Sequence, residues 1–174
     1  YDGSRFYNKE YQAKPINFYG KSKLIGEKII SKYNNSLILR TNFFGDSIGK
    51  RKSLSDFFKQ SFKENKKILL FQDLIFSPVT LETLYMVIMS IVEKNRITGI
   101  YNLGSSNCIS KADFALKIAE NIGYDAKHLM KVNSNEINGT RSQRPLNTSL
   151  DSKKLMNILN IELPSIEEEI RRIC

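Results

Sequence analysis

Residues 17–30, NFYGKSKLIGEKII, set Tyr19 four positions ahead of Lys23 at the start of a segment with helical periodicity. On a helix these two side chains lie on one face, a turn apart. Tyr19 is the single tyrosine among eight with a lysine at that spacing, yet in so lysine-rich a chain one such pair arises by chance. Spacing alone therefore leaves two readings open: a proton-transfer pair, or a tyrosine packing at a helix start with its lysine in solvent. The surrounding residues have to separate them.

Working outward, Asn17 is a candidate cap for a helix from Phe18 or Tyr19 to about Tyr33. Leu24, Ile25, Ile29, Ile30 and Tyr33 form its expected buried stripe. The run SLILRTNFF (36–44) suits a strand buried on both faces. SLSDFFKQSFKEN (53–65) reads as an amphipathic helix with Leu54, Phe57, Phe58 and Phe62 inward, followed by a strand at KILLF (67–71). Pro78 and a Thr80 cap, with Glu82 and Thr83 making a loose capping box, open a helix to Glu93. The apolar run LYMVIMSIV (84–92) within it reads as a core helix. GIYNLGS (99–105) is a strand, Ser110 caps the helix KADFALKIAENIG, and Gly123 ends it. Residues 131–149 read as loop, and short helices are expected near 151–159 and 165–172. Strand-helix alternation of this kind predicts an α/β layer fold with mostly parallel strands.

Composition narrows the function classes. With 41% hydrophobic and 26% charged residues, the 174-residue chain fits one globular domain. No apolar run approaches the roughly 20 residues that span a bilayer, so no membrane partner is expected. The two cysteines, Cys108 and Cys174, form no disulfide framework, and with the single His128 they supply no metal site. A reduced, cytoplasmic compartment is the default. One histidine also leaves little basis for Ser-His-Asp or Cys-His catalysis. The net charge of +9 favours an anionic partner. A nucleic acid is discounted, because the basic stretch 49–67 carries no recognition signature and reads as the outer face of a helix.

A paired phenol and ammonium have a definite chemistry. At about 4 Å and an effective dielectric near 20, a unit charge pair is worth on the order of 4 kcal/mol, an upper figure for a solvated lysine. That is roughly three pKa units of preference for phenolate. A tyrosine tuned this way donates a proton to a carbonyl oxygen as hydride reaches the carbon.

Six blocks around the pair bear on whether it is used so. In order they are YDG (1–3), KPINFYGKSKLIGE (14–27), LILRTNFFG (37–45), FSPVTLETL (76–84), GIYNLGS (99–105) and RPLNTSLDSKKL (144–155). This series resembles the extended short-chain dehydrogenase/reductases, and within them the dTDP-4-dehydrorhamnose reductase group of nucleotide-sugar enzymes. The resemblance implies the C-terminal part of a Rossmann-like doubly wound parallel sheet plus a small α/β substrate-binding region. Residues 1–45 would end the dinucleotide-binding core and carry the catalytic helix. Residues 46–174 would mainly bind the nucleotide sugar, with some segments returning to the core.

The same resemblance implies roles. Tyr19 is the general acid/base, and Lys23 tunes it and bonds the nicotinamide ribose of NADPH or NADH. Thr41 and Asn42 lie near the nicotinamide, and Phe43 stands against the substrate where the rhamnose enzymes have Trp. Arg144 meets the diphosphate, with a loop-anchoring ion pair as its alternative. Ser77 and Pro78 shape a turn, Gly26 packs the helix, and Glu27 makes a surface or capping contact. The family's Gly-rich cofactor loop and catalytic Ser or Thr would precede Tyr1. The chain is thus expected to be a fragment that binds the cofactor weakly or not at all and is inactive alone. Alternatives are another nucleotide-sugar epimerase or reductase, or a regulatory subunit of the same fold like the methionine adenosyltransferase β-subunit. A homodimer is left open.

Overall fold

The computed structural model describes residues 9–10, 13–47, 52–94, 97–126, 129–136 and 144–174. The block at 1–3 and His128 lie outside the described residues. The catalytic-helix candidate forms as α1 (Phe18–Ile30), with the Asn17 side chain accepting from the Gly20 N–H. It leads into β1 (Leu37–Thr41) and the short β2 (Phe43–Phe44). There follow α2 (Leu54–Lys63), β3 (Leu69–Phe71), β4 (Ile75–Phe76), β5 (Val79–Thr80) and α3 (Leu81–Glu93). The remainder is β6 (Gly99–Leu103), β7 (Ile109–Ser110), α4 (Lys111–Asn121), β8 (Met130–Val132), α5 (Lys153–Leu159) and α6 (Ile166–Arg171).

The expected parallel pairing holds with one exception. β1 pairs with β6, β2 with β5 and β3 with β8, all parallel, while β4 pairs antiparallel with β7. The β1–β6 ladder sets Arg40 opposite Asn102. Side-chain caps close α2, α3, α4 and α6 through Ser53, Thr80, Ser110 and Ser165. Gly123, at a φ of +70°, takes the left-handed turn after α4 that a side chain resists.

Two apolar clusters hold these elements. In one, Phe114 of α4 meets Phe44 edge-on at 4.9 Å and Phe76 at 5.3 Å, with Phe58, Phe62, Ile118, Ile166 and Ile170 around them. In the other, Val87 and Ile91 of α3 pack with Tyr101, Leu103, Leu155 and Leu159.

Several sequence expectations need correction. α1 has no buried residue: Ile25, Ile29, Ile30 and Tyr33 stand exposed, because no described element covers that face. β1 is half-buried along its length rather than buried on both faces, with β6 its ladder partner among the described strands. α3 is not a core helix throughout. Only Thr83, Val87 and Ile91 are buried, Leu84 packs half-buried against the same cluster, and Tyr85, Met86, Ile88, Met89 and Val92 are exposed. Phe57 also turns outward, since the inward stripe of α2 runs Phe58, Ser61, Phe62.

The Thr80 cap is completed differently from the local box. The Glu169 carboxylate, fully buried on α6, accepts from the Thr80 N–H (3.2 Å) and its hydroxyl (2.6 Å), a task that Glu82 does not perform. Residues 130–132 form a strand that runs into the stretch read as loop; Met130 is exposed, and an apolar–polar–apolar alternation of three residues is too short to announce a strand.

Replacing Phe114 by Ala removes the ring shared by Phe44, Phe58 and Phe76. A loss of about 3–5 kcal/mol is expected. Urea denaturation of the two proteins checks it.

Candidate active site

The placement of α1 starts from an ion pair. Arg40 on β1 donates from Nε to Glu27 Oε1 at 2.8 Å and from Nη2 to Glu27 Oε2 at 2.6 Å. Both side chains are largely buried, and the fork geometry is bidentate. Arg40 Nη1 also donates to the Glu10 carbonyl at 2.6 Å, while Glu10 Oε1 accepts from the Asn102 N–H on β6. Glu27 is thus the tie between helix and strand, not the surface or capping contact expected of it. Gly26 packs against nothing within 4 Å of where a Cβ would stand, which corrects its expected packing role.

This anchoring brings the first turn of α1 to the wall of a cavity of about 480 Å³. Pro15, Ile16, Asn17, Tyr19 and Gly20 line one side. Asn42, from the joint between β1 and β2, lines another. Leu74 and Ile75, Lys111 at the start of α4, and Arg144, Pro145 and Thr148 also line the cavity. Gly20 is required by close approach, since a Cβ there would stand 2.8 Å from Pro15 Cβ.

The Arg144 segment is held by backbone. Ile75 N–H donates to Leu146 O (2.7 Å), and Thr148 N–H returns to Ile75 O (2.8 Å). The Asn42 amide then donates to Thr148 O at 3.2 Å, tying that loop to β1. Asn42 O in turn accepts from the Val79 N–H. The sequence blocks at 76–84, 99–105 and 144–155 converge in the same way. Ser77 Oγ accepts from the Leu150 N–H, and Ser152 Oγ accepts from the Gly104 N–H. Ser77 is buried and engaged with backbone, which agrees with a turn-shaping role.

Of the residues singled out from sequence, Tyr19, Asn42 and Arg144 line this one cavity. Lys23 sits a turn along α1 with its ammonium 5.6 Å from the centre of the Tyr19 ring. Thr41 and Phe43 do not line the cavity. Phe43 faces outward at 59% exposure, because its neighbour Phe44 takes the inward side of the strand. Arg144 makes no ion pair among the described residues, so the loop-anchoring alternative finds no partner there.

Sequence reasoning missed Lys111. It is one of 27 basic residues and carries no motif, so only the fold could single it out. Its ammonium is 5.9 Å from the Phe76 ring centre. Burial, and then the nearby Arg144 guanidinium, push it below the usual lysine value.

The Tyr19 ring is 70% exposed and Lys23 is also exposed, and neither meets a carboxylate among the described residues. A phenol and an ammonium presented together in this way can both donate hydrogen bonds to oxygen atoms of a ligand.

The fold is of the Rossmann-like type found in the short-chain dehydrogenase/reductases. A dTDP-4-dehydrorhamnose reductase from Bacillus anthracis, solved in complex with NADP, matches with a TM-score of 0.87 at 25% identity. That match covers 99% of this chain and 61% of the solved one. The chain belongs to the RmlD substrate binding domain family, whose model matches residues 1–174. A dTDP-4-dehydrorhamnose reductase from Sinorhizobium fredii is 28% identical over 181 residues, 96% of this chain and 59% of the relative. A probable low-salt glycan biosynthesis reductase from Haloferax volcanii is 25% identical over 169 residues, 95% of this chain and 56% of the relative. The chain therefore spans under two thirds of the length of each.

Replacing Gly20 by Ala forces the rigid Pro15 ring away from α1. The expected cost is about 1–3 kcal/mol. A lowered thermal midpoint with an intact far-ultraviolet circular dichroism spectrum checks it.

Proposed function

We propose that this chain forms the substrate side of an NAD(P)H-dependent reductase acting on a 4-keto-6-deoxy nucleotide sugar for surface polysaccharide precursors. The observation that carries the reading is the convergence of Tyr19, Asn42 and Arg144 on one cavity that no carboxylate lines among the described residues. Membership of the family and the names of its relatives support the substrate class.

In this reading Tyr19 holds the proton destined for the sugar's C4 oxygen, at the exposed end of the anchored helix. A reduced nicotinamide, when bound, supplies the hydride. The Lys23 ammonium, 5.6 Å from the Tyr19 ring centre, donates to the cofactor's ribose hydroxyls. Asn42 borders the nicotinamide, with its amide already committed to Thr148 O. The Arg144 guanidinium takes the diphosphate in bidentate fashion, while Thr41 and the outward-facing Phe43 lie outside the cavity and take no assigned contact.

Residues 1–45 act as the end of the cofactor-binding core and residues 46–174 mainly as the sugar-nucleotide side. Segments 79–103 and 155–163 return to that core through the cluster built on Val79, Leu103 and Leu155. Hydride transfer belongs to the full-length protein; the 174 residues alone bind the cofactor weakly or not at all.

The test is the full-length protein with dTDP-4-keto-6-deoxy sugar, following loss of reduced nicotinamide. Tyr19→Phe is expected to lower kcat by about 10²–10⁴-fold, the usual share of a general acid. Equal turnover by wild type and Tyr19→Phe overturns the assignment. Absence of turnover on any nucleotide sugar overturns the reductase reading.

A further inference from the structure

We propose that Lys111 is a second diphosphate-binding residue, acting with Arg144 to clamp the diphosphate of the nucleotide sugar. The inference rests on the reading of the cavity as a nucleotide-sugar site and adds to it a residue that no sequence motif marks.

Lys111 and Arg144 line the same cavity, and among the described residues no carboxylate does. The nearest acidic residue on α4, Asp113, is already engaged. Its Oδ2 accepts from Ser110 Oγ at 2.7 Å and its Oδ1 from Lys131 Nζ at 2.7 Å. Lys111 has no ion pair among the described residues, and its backbone N–H is fixed to Leu74 O at 2.9 Å. Two cations held close together beside apolar side chains repel each other, and burial weakens the lysine's hold on its proton further. An anion placed between them reverses both effects, since each charge then gains an opposite neighbour. A diphosphate suits the pair because it brings more than one negative charge and spans two contact points. Arg144 offers a fork and Lys111 a point charge, which is complementary chemistry for adjacent phosphoryl groups.

A nicotinamide dinucleotide carries a diphosphate as well, so the two sources need separating. Lys111 opens the helix that packs on Phe44 and Phe76, in the half of the structure remote in sequence from α1. That location favours the sugar nucleotide.

The experiment measures binding of thymidine diphosphate, thymidine and NADPH to the full-length protein by calorimetry. For Lys111→Met, thymidine diphosphate is expected to bind at least about tenfold more weakly, a loss of about 1.4 kcal/mol. NADPH and thymidine should bind as before, and Lys111→Arg should restore much of the loss. Unchanged affinity for thymidine diphosphate in Lys111→Met overturns the inference while leaving the site reading intact. A parallel loss of NADPH affinity overturns it in favour of the cofactor's diphosphate. If wild type binds no thymidine diphosphate, the site reading and the inference fall together.

Discussion

The bidentate pair between Arg40 and Glu27 is the interaction on which the candidate site depends. α1 buries none of its residues among the described elements, so apolar packing does little to fix it there. The guanidinium of a strand residue holds the helix instead, and the same guanidinium reaches the Glu10 carbonyl. Glu10 continues the chain of contacts to the Asn102 N–H on β6, which is the ladder partner of β1. Helix, strand and neighbouring strand are therefore joined through one charged cluster. A pair this sheltered is costly to break on one side only, because the remaining charge loses its partner without gaining water. Tyr19, two turns ahead of Glu27, inherits its position from that anchor.

The other wall of the cavity has a different origin. Its foundation is the aromatic cluster on Phe114, which seats α4 and thus Lys111. The Arg144 segment is then attached by backbone bonds to Ile75 and by the Asn42 amide to Thr148 O. Asn42 is the hinge between the walls: it borders the cavity, follows Arg40 by two residues, and grips the loop that bears Arg144. Among the described residues no acid in the cavity balances the two cations that result. In the proposed reading an anionic ligand does so, and the exposed Tyr19 phenol acts on it.

Much of this was legible in the sequence, for reasons that differ by element. Asn17, Thr80, Ser110 and Gly123 announce helix ends because capping is a local matter of side chain to nearby N–H. The α1 and β1 positions were equally clear from periodicity, as was the parallel α/β class. What failed was burial, since Ile25, Ile29 and Tyr85 look like core residues to any periodicity argument. Burial depends on which element lies opposite, and a single segment does not record that. Long-range polar contacts failed for the same reason. Neither Glu27 facing Arg40 nor Glu169 capping Thr80 leaves a spacing signature, because the partners are 13 and 89 residues apart. Lys111 is the clearest case: among so many lysines only the cavity distinguishes it.

The account stands most directly on a double-mutant cycle at the anchor. Glu27→Gln, Arg40→Met and the double variant are compared with wild type by denaturant unfolding. A coupling of about 1–3 kcal/mol, with each single variant costing nearly as much as both together, is the expected result. Additive effects, with a coupling indistinguishable from zero, would contradict the claim that this pair holds α1 in place.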